Sequence, residues 1–206
     1  VTSLGSWDRV ARFYDLQLWL ERAALGVALD MAQIGAEDSL LDIGSGTGGL
    51  LRELAKRGAA PREAIGIDLS PKMLARAPAL PAGWRLARGD AAQLRLPDRS
   101  FDVVTATYLL HLLGPGQRAA VLTEARRVLR RDGRLVAVTV APPRSEALAR
   151  ILDRAFGRAR SGTGILAGLR PLDPRPDLER AGFAVQGARR SYRGYPSLVV
   201  AATLGG

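Results

Sequence analysis

Leu40-Leu41-Asp42-Ile43-Gly44-Ser45-Gly46-Thr47-Gly48 is a short apolar run that breaks into alternating glycines. Leu40 to Ile43 has the length and character of a buried strand. The glycines mark a turn where the main chain can approach a ligand closely, because no side chain stands in the way. A helix is predicted from about Gly49 to Arg57, with Gly58 as its C-terminal cap. Its first turn offers free amides and a partial positive charge, suited to a carboxylate or a phosphate. Gly44, Gly46 and Gly49 also satisfy the G-x-G-x-x-G spacing of dinucleotide folds, which is weak taken alone.

Outward from this unit the chain keeps alternating helices with short apolar runs. Upstream, Leu16, Leu20, Ala24, Val27, Met31 and Ile34 recur at three- and four-residue steps and predict an amphipathic helix over 16–34. Downstream, strands are expected at 64–67, 84–87, 101–106 and 135–140. Pro71 opens a helix, another covers 117–129, and Asp132-Gly133 turns into the fifth strand. Residues 144–160 are arginine-rich and expected to be helical, and a loop rich in glycine and proline follows. Two last runs, 183–186 and 198–203, are close enough to pair antiparallel. The pattern predicts an α/β fold with a mostly parallel sheet and helices on both faces. It is expected to form a single domain over 1–206, with 1–36 as an N-terminal helical segment.

Composition narrows the chemistry. The 206 residues contain no cysteine, which excludes disulfides, thiolate metal sites and a cysteine nucleophile. The first 26 residues carry charges at short intervals and lack the apolar core of a signal peptide, and no membrane span is evident. A cytoplasmic location is the expectation. The net charge is +10, and Lys56 and Lys72 are the only lysines among the 30 basic residues. Arginine spreads along the whole chain rather than clustering, which argues against a nucleic-acid partner. A compositional bias of the source genome and a basic face towards anionic lipid both remain open.

Three acids give the glycine turn its meaning. Asp42 lies at the end of the first strand, where it could face a ligand ammonium. Asp68 ends the second strand, 26 positions later, where its carboxylate could accept both hydroxyls of a ribose. After the third strand comes Gly89-Asp90-Ala91; Asp90 could accept from an adenine amino group while the Ala91 amide donates to the ring. Leu69 and Met73 supply apolar contact to the base. Amino-acid head, ribose and adenine, met in that order along the chain, describe S-adenosyl-L-methionine.

These stretches, together with Gly66-Ile67-Asp68-Leu69-Ser70 and Phe101-Asp102-Val103-Val104, resemble the successive motifs of the class I S-adenosylmethionine-dependent methyltransferases. The likeness extends from Trp7 to Thr203. It is most similar to the group of ubiquinone and menaquinone C-methyltransferases, the methyltransferase domain 11 group. The resemblance implies a Rossmann-like seven-stranded sheet whose last strand is antiparallel. It also implies that Tyr14 lies over the cofactor, as the tyrosine of the similar N-terminal segment 7–15 does in relatives. The cofactor-binding candidates are therefore Tyr14, Asp42, Gly44, Ser45, Gly46, Thr47, Asp68, Leu69, Met73, Asp90, Ala91 and Thr107, the last at the end of the fourth strand.

The acceptor side is thinner. Relatives carry a histidine pair after the fourth strand; here the segment is Leu110-His111-Leu112, so one of the two is missing. His111, the chain's only histidine, is a candidate general base or acceptor contact, beside the alternative of a histidine packed under the rim. Thr105-Ala106-Thr107-Tyr108 lacks the run associated with nucleic-acid amino-group methylation. A small-molecule or lipid-like, quinone-type acceptor is expected, with residues 141–182 as its lid and peripheral membrane contact left open. No metal site is expected, and the oligomeric state is not legible. Two other classes stand as alternatives: a nicotinamide-dependent oxidoreductase and a non-catalytic S-adenosylmethionine-binding module.

Overall fold

The computed structural model describes residues 14–58, 61–145, 170–194 and 196–205, with side chains from Trp19 onward. In chain order the elements are α1 (Tyr14–Ala32), β1 (Ser39–Ile43), α2 (Gly49–Lys56), β2 (Glu63–Asp68), α3 (Pro71–Leu74) and β3 (Trp84–Arg88). Then come β4 (Phe101–Thr107), a 3-10 turn (Leu110–Leu112), α4 (Pro115–Val128), β5 (Leu129–Val140), α5 (Arg175–Arg180), β6 (Phe183–Ser191) and β7 (Ser197–Leu204).

The seven strands form one sheet in the order β3-β2-β1-β4-β5-β7-β6. β3, β2, β1, β4 and β5 pair in parallel, and β7 runs antiparallel to both β5 and β6. The expected Rossmann-like sheet is therefore present. The order reverses between β1 and its neighbours β2 and β4, so the carboxyl ends of these strands open the crevice where such sheets take ligands.

Successive residues of a strand point to opposite faces, and both faces are buried. Leu40, Val103, Val136, Val138 and Val199 pack with Ala24, Leu25, Ala28 and Leu29 of α1 and with Leu50, Leu51 and Leu54 of α2. Leu41, Val104, Leu135, Ala137 and Val200 pack on the other face with Val121, Leu122 and Ala125 of α4 and Leu178 of α5.

Three expectations about the elements are corrected. The buried stripe of α1 is Glu21, Ala24, Leu25, Ala28, Leu29 and Ala32, one position round from the predicted one, because small alanines let the helix lie close on the sheet. β5 starts at Leu129, six residues early: Leu129 pairs with Phe101 and Arg134 with Val103, so residues 130–133 bulge out around Gly133. β6 runs on to Ser191 through a bulge at Val185–Gly187, opposite Ala201 and Ala202 of β7. Beyond Ser145, the helix expected to 160 lies outside the described residues. Among the described residues no helix is long and apolar enough to cross a membrane.

Candidate active site

The β1–α2 turn takes a left-handed path at Gly44, Gly46 and Gly48, with φ of 71°, 56° and 75°. Side chains with a Cβ disfavour that region, and at Gly44 space forbids one as well. A Cβ there would stand 2.9 Å from Leu109 Cδ1, so the isobutyl group of Leu109 rests directly on the turn. The turn is held to β2 by main-chain bonds: the Gly44 and Ser45 amides donate to the Ile67 carbonyl at 2.8 and 3.1 Å.

Asp68, at the end of β2, closes the same ring of bonds. Its Oδ2 accepts from the Gly46 amide and its Oδ1 from the Ser70 amide, both at 2.8 Å. Each carboxylate oxygen keeps a second lone pair for a further donor. Leu69, next in the chain, is 47% exposed, whereas Met73 is buried on Ser70, whose Oγ accepts from the Met73 amide. Gly66 is where β2 must carry no side chain, since a Cβ would collide with Leu86 Cδ2 and stand 2.8 Å from Ser45 Oγ.

Asp42 lies beneath the turn and is wholly buried. The β1–β4 register sets it opposite Thr105, whose Oγ1 donates to Asp42 Oδ1 at 2.7 Å. Among the described residues Oδ2 has no hydrogen-bond partner, and neither do the buried hydroxyls of Ser45 and Thr47 in the turn that follows. Burial pushes the Asp42 carboxyl up to about 7; the Thr105 bond opposes the rise and the charge of Asp68 adds to it.

Asp90 and Ala91 follow β3. Asp90 is exposed, and its Oδ1 accepts from the Ala92 amide at 2.8 Å. The Gly89 amide donates to the Asp68 carbonyl at 3.0 Å, which ties this corner to the end of β2. Of the predicted residues, the structure thus ties Gly44, Ser45, Gly46 and Asp68 together by hydrogen bonds at the end of β2, buries Asp42 and Thr47 in the same strand and turn, and leaves Leu69 and Asp90 exposed. Tyr14 begins α1, and its side chain lies outside the described residues. A pocket of about 240 Å³ at the outer edge, lined by Leu74, Leu80, Trp84 and Leu86 among others, contains none of the predicted residues. It is the far side of the wall that Leu86 forms behind Gly48 and Gly66.

Beyond Thr107, β4 turns sharply at Tyr108, a non-glycine residue with φ of 54°. The Tyr108 hydroxyl reaches past β5 to Ser197 Oγ on β7 at 2.6 Å. His111 sits in the 3-10 turn, buried, with its ring edge-on to Tyr108 and 6.0 Å between centroids. The sequence reading passed over Thr105, Leu109 and Ser197; only the strand register and the turn after β4 bring them to the site. Among the described residues no group of three histidine or acidic side chains could hold a metal.

Known proteins carry the same fold and motifs. Residues 40–133 match the model of a methyltransferase domain family. The demethylmenaquinone methyltransferase of Thermotoga maritima is 35% identical over 150 residues, covering 68% of this chain and 62% of that protein. Residues 40–133 thus carry a methyltransferase domain, on the fold shared by solved methyltransferases. The chain's sequence similarity lies with relatives named demethylmenaquinone methyltransferase. The chain spans about three fifths of the length of the curated relatives it matches. Two solved structures share the methyltransferase fold. The YcgJ protein of Bacillus subtilis superposes with a TM-score of 0.69 at 19% identity, covering 90% of this chain and 99% of that one. An S-adenosylmethionine-dependent methyltransferase from Mesorhizobium loti superposes at 0.63 and 22%, covering 89% and 97%.

Proposed function

We propose that this protein transfers a methyl group from S-adenosylmethionine to a small-molecule or lipid-like acceptor, of quinone type. The observation that carries the donor half is Asp42: a buried carboxylate oxygen without a partner among the described residues, directly under a glycine turn. A buried anionic oxygen is stabilised by a cation or a strong donor, and an amino-acid ammonium supplies both. The residues present fit the cofactor. Asp42 answers its ammonium across the turn formed by Gly44, Ser45, Gly46 and Thr47. Asp68 receives the ribose hydroxyls on its remaining lone pairs, and Leu69 and Met73 meet the adenine face. Asp90 and the Ala91 amide read the adenine edge, while Tyr14 and Thr107 complete the enclosure.

When bound, the sulfonium supplies an already activated methyl group. The work left to the chain is to hold donor and acceptor in line and keep water out. Orientation of this kind is worth on the order of 7–11 kcal/mol in favourable cases. Leu109, resting on Gly44, is an apolar wall that excludes water beside the turn. An acceptor entering over β4, β5 and β7 meets Tyr108, His111 and the end of residues 141–182, the lid of this reading. That end is tied to β5, where the Leu172 amide donates to the Val140 carbonyl and Thr139 Oγ1 donates to the Leu172 carbonyl. If the acceptor is a phenol or its ring carbon, the proton it loses passes to His111 or directly to water. The quinone-type acceptor rests on the relatives named demethylmenaquinone methyltransferase.

Titration calorimetry with S-adenosylhomocysteine and with NADH, followed by transfer of labelled methyl to a naphthoquinol, tests both halves. Binding of S-adenosylhomocysteine with label in the naphthoquinol is the expected result. Binding of NADH alone would overturn the donor, and retained cofactor binding with no transfer to any acceptor would favour a binding module.

A further inference from the structure

At the carboxyl end of the sheet, three large apolar side chains are exposed among the described residues: Trp19 at 69%, Tyr192 at 55% and Leu69 at 47%. Leu69 has the adenine face to meet. The other two have no such use, and they lie near each other. The β6–β7 hairpin ends on α1, where Gly194 packs so closely that a Cβ would collide with the Leu20 carbonyl, next to Trp19. Tyr192 is two residues before Gly194, and the Arg144 guanidinium lies over its ring, 5.3 Å from the centroid.

The charges here differ from those at the opposite end. There, Arg57, Arg127, Arg130 and Arg134 are held against Asp30, Asp98, Asp102 and Asp38 at 2.6 to 2.7 Å. Around the hairpin, Arg144, Arg189 and Arg193 are exposed and none has an ion-pair partner among the described residues. Arg190 donates to the Pro142 carbonyl, which ties the hairpin to the segment after β5. Exposed tryptophan and tyrosine flanked by these arginines match the boundary between headgroups and acyl chains: the rings enter the interface while the guanidinium groups meet phosphates.

We infer that Trp19, Tyr192, Arg144, Arg189 and Arg193 form a docking surface for an anionic lipid bilayer. The three cations, without an ion-pair partner among the described residues, select a negatively charged occupant, and two flat amphipathic rings suit an interface better than a rigid protein pocket. Docked this way, the chain turns the carboxyl ends of β4 and β5 and the amino end of β7 to the membrane, the direction from which a lipid-like acceptor would come. The surface itself does not depend on what the acceptor is, so the test uses vesicles without one.

The test is co-sedimentation of the intact protein with phosphatidylcholine vesicles, with and without phosphatidylglycerol, at low and high salt. Binding is expected only with phosphatidylglycerol at low salt, with a blue shift of tryptophan emission. R189E/R193E should weaken it by about thirtyfold. W19S should weaken it by about tenfold and abolish the shift. Both variants should bind S-adenosylhomocysteine like the parent, which shows them folded. Equal binding to neutral vesicles, no binding to either, or a charge variant that binds undiminished would overturn the inference. So would a concentration-dependent dimer that W19S/Y192S dissolves, since the surface would then belong to a second copy. A parent protein that binds vesicles but not S-adenosylhomocysteine would sink the donor reading and leave the surface standing.

Discussion

The two halves of the sheet's carboxyl end are built from different material. On the side of β1, β2 and β3 the site is main chain: three glycines in the left-handed region, amides given to Ile67 and to Asp68, and one buried acid beneath them. On the side of β4, β5 and β7 it is side chain: a tyrosine bonded to a serine two strands away, a buried histidine and a leucine laid on the turn. Main-chain sites demand particular residue types at particular positions, because only glycine accepts the conformation. Side-chain sites can be filled in many ways, so one half suits an invariant ligand and the other a variable one.

The sharpest way to break this contrast is to give the main-chain half a side chain. Gly44→Val adds a Cβ at φ 71° and against Leu109, and should destabilise by about 2–4 kcal/mol while removing S-adenosylhomocysteine binding. Thermal melts and calorimetry check both. Leu109→Ala added to it should return part of the stability, from the relieved contact, and none of the part due to φ.

Next in size is Asp42→Asn. Burial lifts the folded carboxyl to about 7, well above the usual aspartate range, so the folded state keeps a proton that the unfolded chain loses first. Stability therefore falls as pH rises from about 4 to about 7 and levels off above it. The asparagine variant should be the more stable by on the order of 2–4 kcal/mol above pH 7 and no different at acid pH. It should also bind S-adenosylhomocysteine at least about tenfold more weakly, having lost the anion that meets the ammonium. In the parent, cofactor binding should release a proton near pH 7, read by calorimetry in two buffers of different ionisation enthalpy. Binding that strengthens as pH falls would contradict the role given to Asp42.

These examples also show what a sequence can and cannot spell out. The glycines, Asp42 and Asp68 were legible because each is forced by backbone geometry at a strand end. Thr105 was not, since its partnership with Asp42 exists only once β1 and β4 are in register, Asp42 opposite Thr105. The early start of β5 was missed for a similar reason: residues 130–133 look like a turn before a strand, and only the pairing of Leu129 with Phe101 makes them a bulge within one. Glycine and proline between 162 and 176 obscured the short helix α5, which begins at Arg175 with Pro174 as its N-cap and is held by Leu178 in the core.

On the side-chain half, Tyr108→Phe removes the 2.6 Å bond to Ser197 and should lower stability by only about 1 kcal/mol. If the halves are as separate as their construction suggests, S-adenosylhomocysteine affinity stays unchanged and only the acceptor's KM and turnover move. A fall in cofactor affinity would instead mean that Tyr108 sets the height of Leu109 over Gly44.

The smallest effect on the cofactor is expected at His111, and it decides what that side of the site does. His111 is buried and edge-on to Tyr108, and asparagine keeps a polar, planar group of smaller size there. A packing role predicts a loss of turnover below about tenfold with an unchanged pH profile, whereas a general base would contribute about 10²–10⁴ and its loss would remove the rise of the profile near the histidine pKa. The buried position under the rim, edge-on to Tyr108, favours the smaller loss. Cofactor affinity should be untouched in either case, because His111 is separated from Gly44 by Leu109. A variant in which both quantities fell together would erase the boundary between the two halves.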